Sequence, residues 1–105
     1  MNDLPIEVTR VIDAVNNGDT EAFLDAFTSA GEVDDVGRIF SGRDRICQWS
    51  DAEAIGKQTT FEVKDATSAG NQVTINLEVA GNGYNGPAMF VFTIEGDLIS
   101  KIVIS

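Results

Sequence analysis

Apolar positions at the start of the chain recur every three to four residues. Leu4, Val8, Val11, Ile12 and Val15 make one stripe, which at 3.6 residues per turn is one face of a helix. Pro5 suits the first helical turn and Gly18, after Asn16 and Asn17, suits the C-terminal stop, so a helix is expected over roughly residues 5–16. "GDTEAFLDAF" follows at once. Asp19 or Thr20 can cap a second helix, and Ala22, Phe23, Ala26 and Phe27 form its stripe. Two short helices joined through a glycine are expected to fold back on each other.

The period then shortens. Residues 32–41 read as two short strands, "EVDDV" and "RIF", around Gly37. "SGRD" carries the spacing of a capping box, with Ser41 and Asp44 bonding reciprocally at the start of a third helix. Ile46 and Trp49, then Ala52 or Glu53, follow on one face, and Gly56 closes it. From Phe61 on, apolar and polar residues alternate. Val73, Ile75, Leu77 and Val79 share one face of a strand; Ala88, Phe90, Phe92 and Ile94 share one face of the next. A two-residue turn at Asn82-Gly83 would set Leu77 opposite Ala88, Ile75 opposite Phe90 and Val73 opposite Phe92, all on one face. Pro87 cannot donate to that ladder, so an irregularity is expected around Asn85, Gly86 and Pro87. A second hairpin turns at Glu95-Gly96-Asp97, and residues 98–104 form the last strand.

Three N-terminal helices followed by long antiparallel strands make an α+β domain, a single one over residues 1–105. Met89, Val91, Ile99 and Val103 add apolar positions on the sheet face away from the helices. A wet outer face of that kind predicts a homodimer paired through the sheet.

Composition narrows the chemistry. The chain has 7 basic and 17 acidic residues, a net charge of -10, which argues against nucleic acid or an anionic membrane as partner. It has no histidine and one cysteine, so no Ser-His-Asp or Cys-His nucleophile, and no zinc site, can be assembled. Mg2+ or Ca2+ on carboxylates stays open, but there is no EF-hand spacing and no phosphate-cradling loop, and neither a metal nor a cofactor is expected. Any acid-base work falls to Asp, Glu, Lys, Tyr or Cys. Met1-Asn2-Asp3 lacks the basic flank and apolar run of a signal peptide, and with the single Cys47 this suggests the cytoplasm.

The element order, with "NNGDTEAFLDAF", "EVDDVGRIFSGRDRICQW" and the ending "GPAMFVFTIEGDLISKIVI", resembles the NTF2-like superfamily. That is the cone fold of nuclear transport factor 2, ketosteroid isomerase and SnoaL-type polyketide cyclases. The resemblance implies a strongly curved, mainly antiparallel sheet packed on the helices, and a pocket between them that opens at one end. The chain is short for the superfamily, so the cone should be trimmed and the pocket small. The resemblance implies no particular reaction, since the fold hosts enzymes and non-catalytic binders alike.

Candidate site residues follow. Asp34 and Asp35 point to opposite faces of a strand, so at most one reaches the pocket. "DDVG" is similar to the context of the isomerase's general base, with Asp35 the closer match; the alternative is a solvated hairpin end paired with Arg38. The isomerase's oxyanion acid would fall near Phe90, which cannot donate, so a ketosteroid-type isomerase is not expected. Arg38, Arg43 and Arg45 can hold an anion at a helix start or simply offset local acids; Arg38 is placed nearest Asp35. Trp49 either floors the pocket or fills the core, and needs a partner for its indole N–H when buried. Phe61, Tyr84, Asn85 and Phe90 complete the candidate lining, although "GNGYNGP" also reads as turn chemistry alone. Cys47 reads as packing. Two functions remain open: a module binding a small, largely apolar ligand, or an isomerase, cyclase or dehydratase using Asp35 as base with Arg38 or Tyr84 as electrostatic partner.

Overall fold

The computed structural model describes residues 4–105; Met1, Asn2 and Asp3, on which the signal-peptide expectation rests, lie outside them. Its elements are α1 (Ile6–Asn17), α2 (Thr20–Asp25), β1 (Phe27–Asp35), β2 (Arg38–Ser41), α3 (Arg43–Glu53), a short 3-10 turn (Ile55–Lys57), β3 (Thr60–Ala69), β4 (Gln72–Ala80), β5 (Gly86–Glu95) and β6 (Leu98–Ile104). The strands form one six-stranded sheet in the order β2-β1-β6-β5-β4-β3. Among the described residues only the β1–β6 pair is parallel. Register irregularities in β1 after Phe27, in β3 after Val63, and between β5 and β6 at Thr93 bend the sheet, as bulges do. The architecture is the expected α+β cone.

The helices cover the concave face. α1 buries Val8, Val11, Ile12, Ala14 and Val15, the stripe that its 3.6-residue spacing defines. Gly18 ends it in the left-handed region at φ 66° and donates back to Val15. Asp19 caps α2 through the Ala22 N–H. Against them the sheet presents Phe27, Val33, Ile75, Phe90, Phe92, Ile99 and Ile102, all within a single core. Asn16, at the end of α1, also locks onto β3. Its amide donates to the Phe61 carbonyl at 3.0 Å and accepts from the Phe61 N–H at 2.7 Å, pairing with that residue as a neighbouring strand would.

Several local expectations are corrected. The second helix stops at Asp25, and Phe27 opens β1 instead of completing the helical stripe. The Phe27 side chain still reaches the same core, which is why either spacing fits the sequence. Ser41 and Asp44 form no capping box. Gly42 occupies the N-cap with no side-chain cap, and the Ser41 hydroxyl donates to Glu32 across the hairpin instead. The β4–β5 pairs Leu77–Ala88, Ile75–Phe90 and Val73–Phe92 stand as expected, but no type I′ turn forms at Asn82-Gly83. Neither residue has positive φ, as that turn requires. Residues 81–85 instead make a wider loop docked on the 3-10 turn, with the Asn82 N–H on the Lys57 carbonyl. Ile99, expected outside, is fully buried. Opposite Thr93–Ile94, β6 carries one extra residue between Ile99 and Lys101, so the alternation reverses and turns Ile99 inward.

Candidate functional site

The hairpin between β1 and β2 sets the site. Val33 is fully buried, and side chains two apart share a face, so Asp35 points inward with Val33 while Asp34 points out. The two-residue turn Val36-Gly37 has φ 52° and 92°, the positive values of a type I′ turn. The Gly37 N–H is held by the Asp34 carboxylate at 2.8 Å. Asp34 is thus spent on the turn, and Asp35 is left at the end of the sheet's inner face.

Two donors converge on one oxygen of Asp35. The Trp49 indole N–H donates to Oδ2 at 3.0 Å, and Arg38 bonds the same Oδ2. Arg38 also grips Glu53 of α3 with its fork, Nη2 to Oε1 at 2.9 Å and Nη1 to Oε2 at 2.7 Å. Glu53 first, and Asp35 with it, push the guanidinium pKa further up, so Arg38 keeps its charge. The Asp35 side chain is only 15% exposed, and among the described residues no group donates to its Oδ1. Trp49 serves two purposes. It is 7% exposed, stacks on Phe23 at 6.3 Å between ring centroids, and turns its N–H edge to the site. The core reading and the pocket reading both describe it.

Beside Asp35 lies a pocket of about 320 Å³ between the sheet and the end of α3. Phe61, Phe90, Val79 and Ala88 give it apolar walls from β3, β4 and β5, and Trp49 with Ala54 closes the helical side. Glu53 and Thr59 are its other polar residues of note. The mouth is flanked by two exposed apolar side chains, Val36 at 75% and Tyr84 at 59%. The Tyr84 hydroxyl donates to the Pro87 carbonyl at 2.7 Å, and its ring lies over Gly86, where a Cβ would come within 2.8 Å of that hydroxyl.

Of the residues expected at the site, Asp35, Trp49, Phe61, Tyr84 and Phe90 come together around this pocket, with Arg38 behind Asp35. Asp34 does not, nor does Asn85, whose amide staples its own loop by bonding Gly81 and Gly83. The three arginines do not gather. Arg43 donates to the Phe27 carbonyl at 2.6 Å, beside the irregular stretch of β1, and Arg45 is exposed. Cys47 is free, and burial, then Asp51 and Asp44, raise its thiol pKa. The sequence reading missed Val36 and Glu53. Glu53 is already placed on the Trp49 face of the helix by its spacing, but that spacing does not show its bond to Arg38. Among the described residues no three His, Cys, Asp or Glu side chains are grouped to hold a metal, and no helix is long and apolar enough to cross a membrane.

A family model, the SnoaL-like domain, matches residues 8–102. No curated protein matches the chain. Among solved structures it is similar to a proposed polyketide cyclase from Sinorhizobium meliloti, with TM-score 0.89, 27% identity, and 98% of this chain and 96% of that one covered. A protein of ketosteroid isomerase-like fold from Catenulispora acidiphila, in complex with trimethylamine, superposes with TM-score 0.84 at 22% identity, covering 98% and 86%. The epoxide hydrolase/cyclase-like enzyme SalBIII, of pyran ring formation in salinomycin, gives 0.84 at 20% identity over 94% and 86%. The last two are likenesses of fold.

Proposed function

The chain belongs to the SnoaL-like domain family, and from that premise we propose that it binds one small, largely apolar molecule in the pocket beside Asp35, as a cytoplasmic homodimer. The observation that carries this reading is the Asp35 carboxylate. One oxygen is fixed by Trp49 and Arg38, and the other lacks a donor where an apolar pocket begins. A ligand gains from burying apolar area against Phe61, Val79 and Phe90, roughly 25 cal/mol per Å², and one polar contact to Asp35 orients it. The complex of the Catenulispora neighbour with trimethylamine supports a small guest. The net charge of -10 supports a small-molecule partner over nucleic acid or an anionic membrane. The free Cys47 fits a reducing compartment.

A second reading, catalysis, is favoured by the same carboxylate. A carboxylate beside a largely apolar pocket can move a proton in an isomerisation, cyclisation or dehydration. The pocket offers it little help, since Glu53 is tied to Arg38 and the Tyr84 hydroxyl to Pro87. Binding is therefore the leading proposal. Its test is an amide and indole NMR titration with cyclohexylmethanol. The Trp49 indole and the Phe61 and Phe90 amides should move and saturate. Shifts confined to the outer sheet face, or none, would overturn the reading.

A further inference from the structure

We infer, resting on the reading of this pocket as a binding site, that its ligand carries a cation: an ammonium group on a compact apolar body. The charges around the pocket point there. Two lining side chains are acids, Asp35 and Glu53, and none is Lys or Arg. The one cation touching them among the described residues, Arg38, has its fork engaged by both Glu53 oxygens and by Asp35 Oδ2. Two carboxylates against one guanidinium leave a net negative charge at the pocket's edge.

The three ligand classes then separate. An anion would enter a site with surplus negative charge and no free guanidinium to receive it, in a chain of net charge -10, and would lose its hydration without replacement. A neutral alcohol can donate to Asp35 Oδ1 but leaves the surplus charge unbalanced. An ammonium does both. Beside the Trp49 edge, three more rings, Phe61, Tyr84 and Phe90, line the same space, and aromatic faces attract a cation within about 6 Å of the ring centre. The mouth between the exposed Val36 and Tyr84 lets the cation keep part of its water on that side.

Three isosteres of one body decide the matter: cyclohexylmethylammonium, cyclohexylmethanol and cyclohexanecarboxylate, titrated against the full chain at neutral pH with the Trp49 indole signal as readout. The ammonium should bind about tenfold more tightly than the alcohol at low salt, added salt should narrow the gap, and the carboxylate should not bind. Asp35→Asn should erase the ammonium's advantage while leaving the alcohol bound. Arg38→Gln removes the competing cation from an exposed position, and should tighten the ammonium by about threefold or more. Weaker ammonium binding in Arg38→Gln, or an alcohol that binds as well as the ammonium to the parent chain, would overturn the charge inference and leave the pocket reading standing. Silence of the Trp49 signal to all three would overturn both.

Discussion

Val36 holds φ 52°, where a β-branched side chain crowds its own backbone at a cost of roughly 1–2 kcal/mol. It is 75% exposed, so little burial offsets the strain. Asn tolerates that conformation through local hydrogen bonding. Val36→Asn should therefore stabilise the fold by about 1 kcal/mol in urea melts, and a loss of stability would mean that the side chain is held by contacts the strain argument omits. Trp49 divides differently. Trp49→Ala should cost about 3–5 kcal/mol, the range for emptying a large aromatic core site. Trp49→Phe keeps an aromatic ring against Phe23 while removing the donor to Asp35 and part of the indole's buried volume, so a smaller loss, about 2–3 kcal/mol, is expected. Equal losses would show that a phenyl ring recovers none of what the indole supplies. At this scale the sequence was informative where one strand's alternation decided the outcome: if Val33 is inside, Asp35 is inside and Asp34 is not. The grip of Arg38 on Glu53 was not readable, because it depends on the angle at which α3 crosses the β1–β2 hairpin.

Elements are joined by contacts that single-element patterns do not show. Asn16 reads as an ordinary helix-end residue, yet its amide makes both bonds to Phe61. Asn16→Ala leaves the Phe61 N–H and carbonyl, which are partly buried, without that partner, so about 2 kcal/mol should be lost. Gly56 was read as the stop of α3. In fact α3 ends at Glu53, and Gly56 lies within the following 3-10 turn, where a Cβ would stand 1.6 Å from the Asp51 carbonyl oxygen. No side chain fits without moving backbone. Gly56→Ala should cost about 3 kcal/mol or more and also disturb the pocket, because the same turn leads from Ala54 to Thr59. A melt within about 0.5 kcal/mol of the parent, the size of ordinary surface changes, would mean that this corner yields easily. The β4–β5 register was legible because three apolar pairs had to share one face. The loop joining those strands was not, because its shape comes from docking on residues 57–59, where Gly81 lies too close for a Cβ, 2.8 Å from Thr59 Cα.

For the whole molecule, the cone follows from helices on one sheet face and bulges that bend the sheet round them, and the other face decides assembly. The expected outer apolar set loses Ile99 to the core, which leaves Met89, Val91 and Val103. These neighbour one another, since Val91 pairs directly with Val103 and Met89 precedes it by two on the same face of β5. Met89 is 40% exposed, and Ile39 of β2 adds another apolar residue at 50%. The Lys101–Glu32 pair, 3.8 Å apart, crosses the same face between β6 and β1. A mixed surface of this kind suits a dimer that buries about 800 Å² per partner, an apolar centre with a charged rim. Light scattering at micromolar concentration should then show twice the 11.2 kDa chain mass. Val91→Lys sets like charges at the centre of a two-fold contact, because the same residue faces itself or its near neighbours there, and should convert the particle to monomer without unfolding it. A monomeric parent would end the dimer proposal. A Val91→Lys variant that stays dimeric would move the contact off this face. Neither result touches the pocket, which is built within one chain from the opposite side of the same sheet.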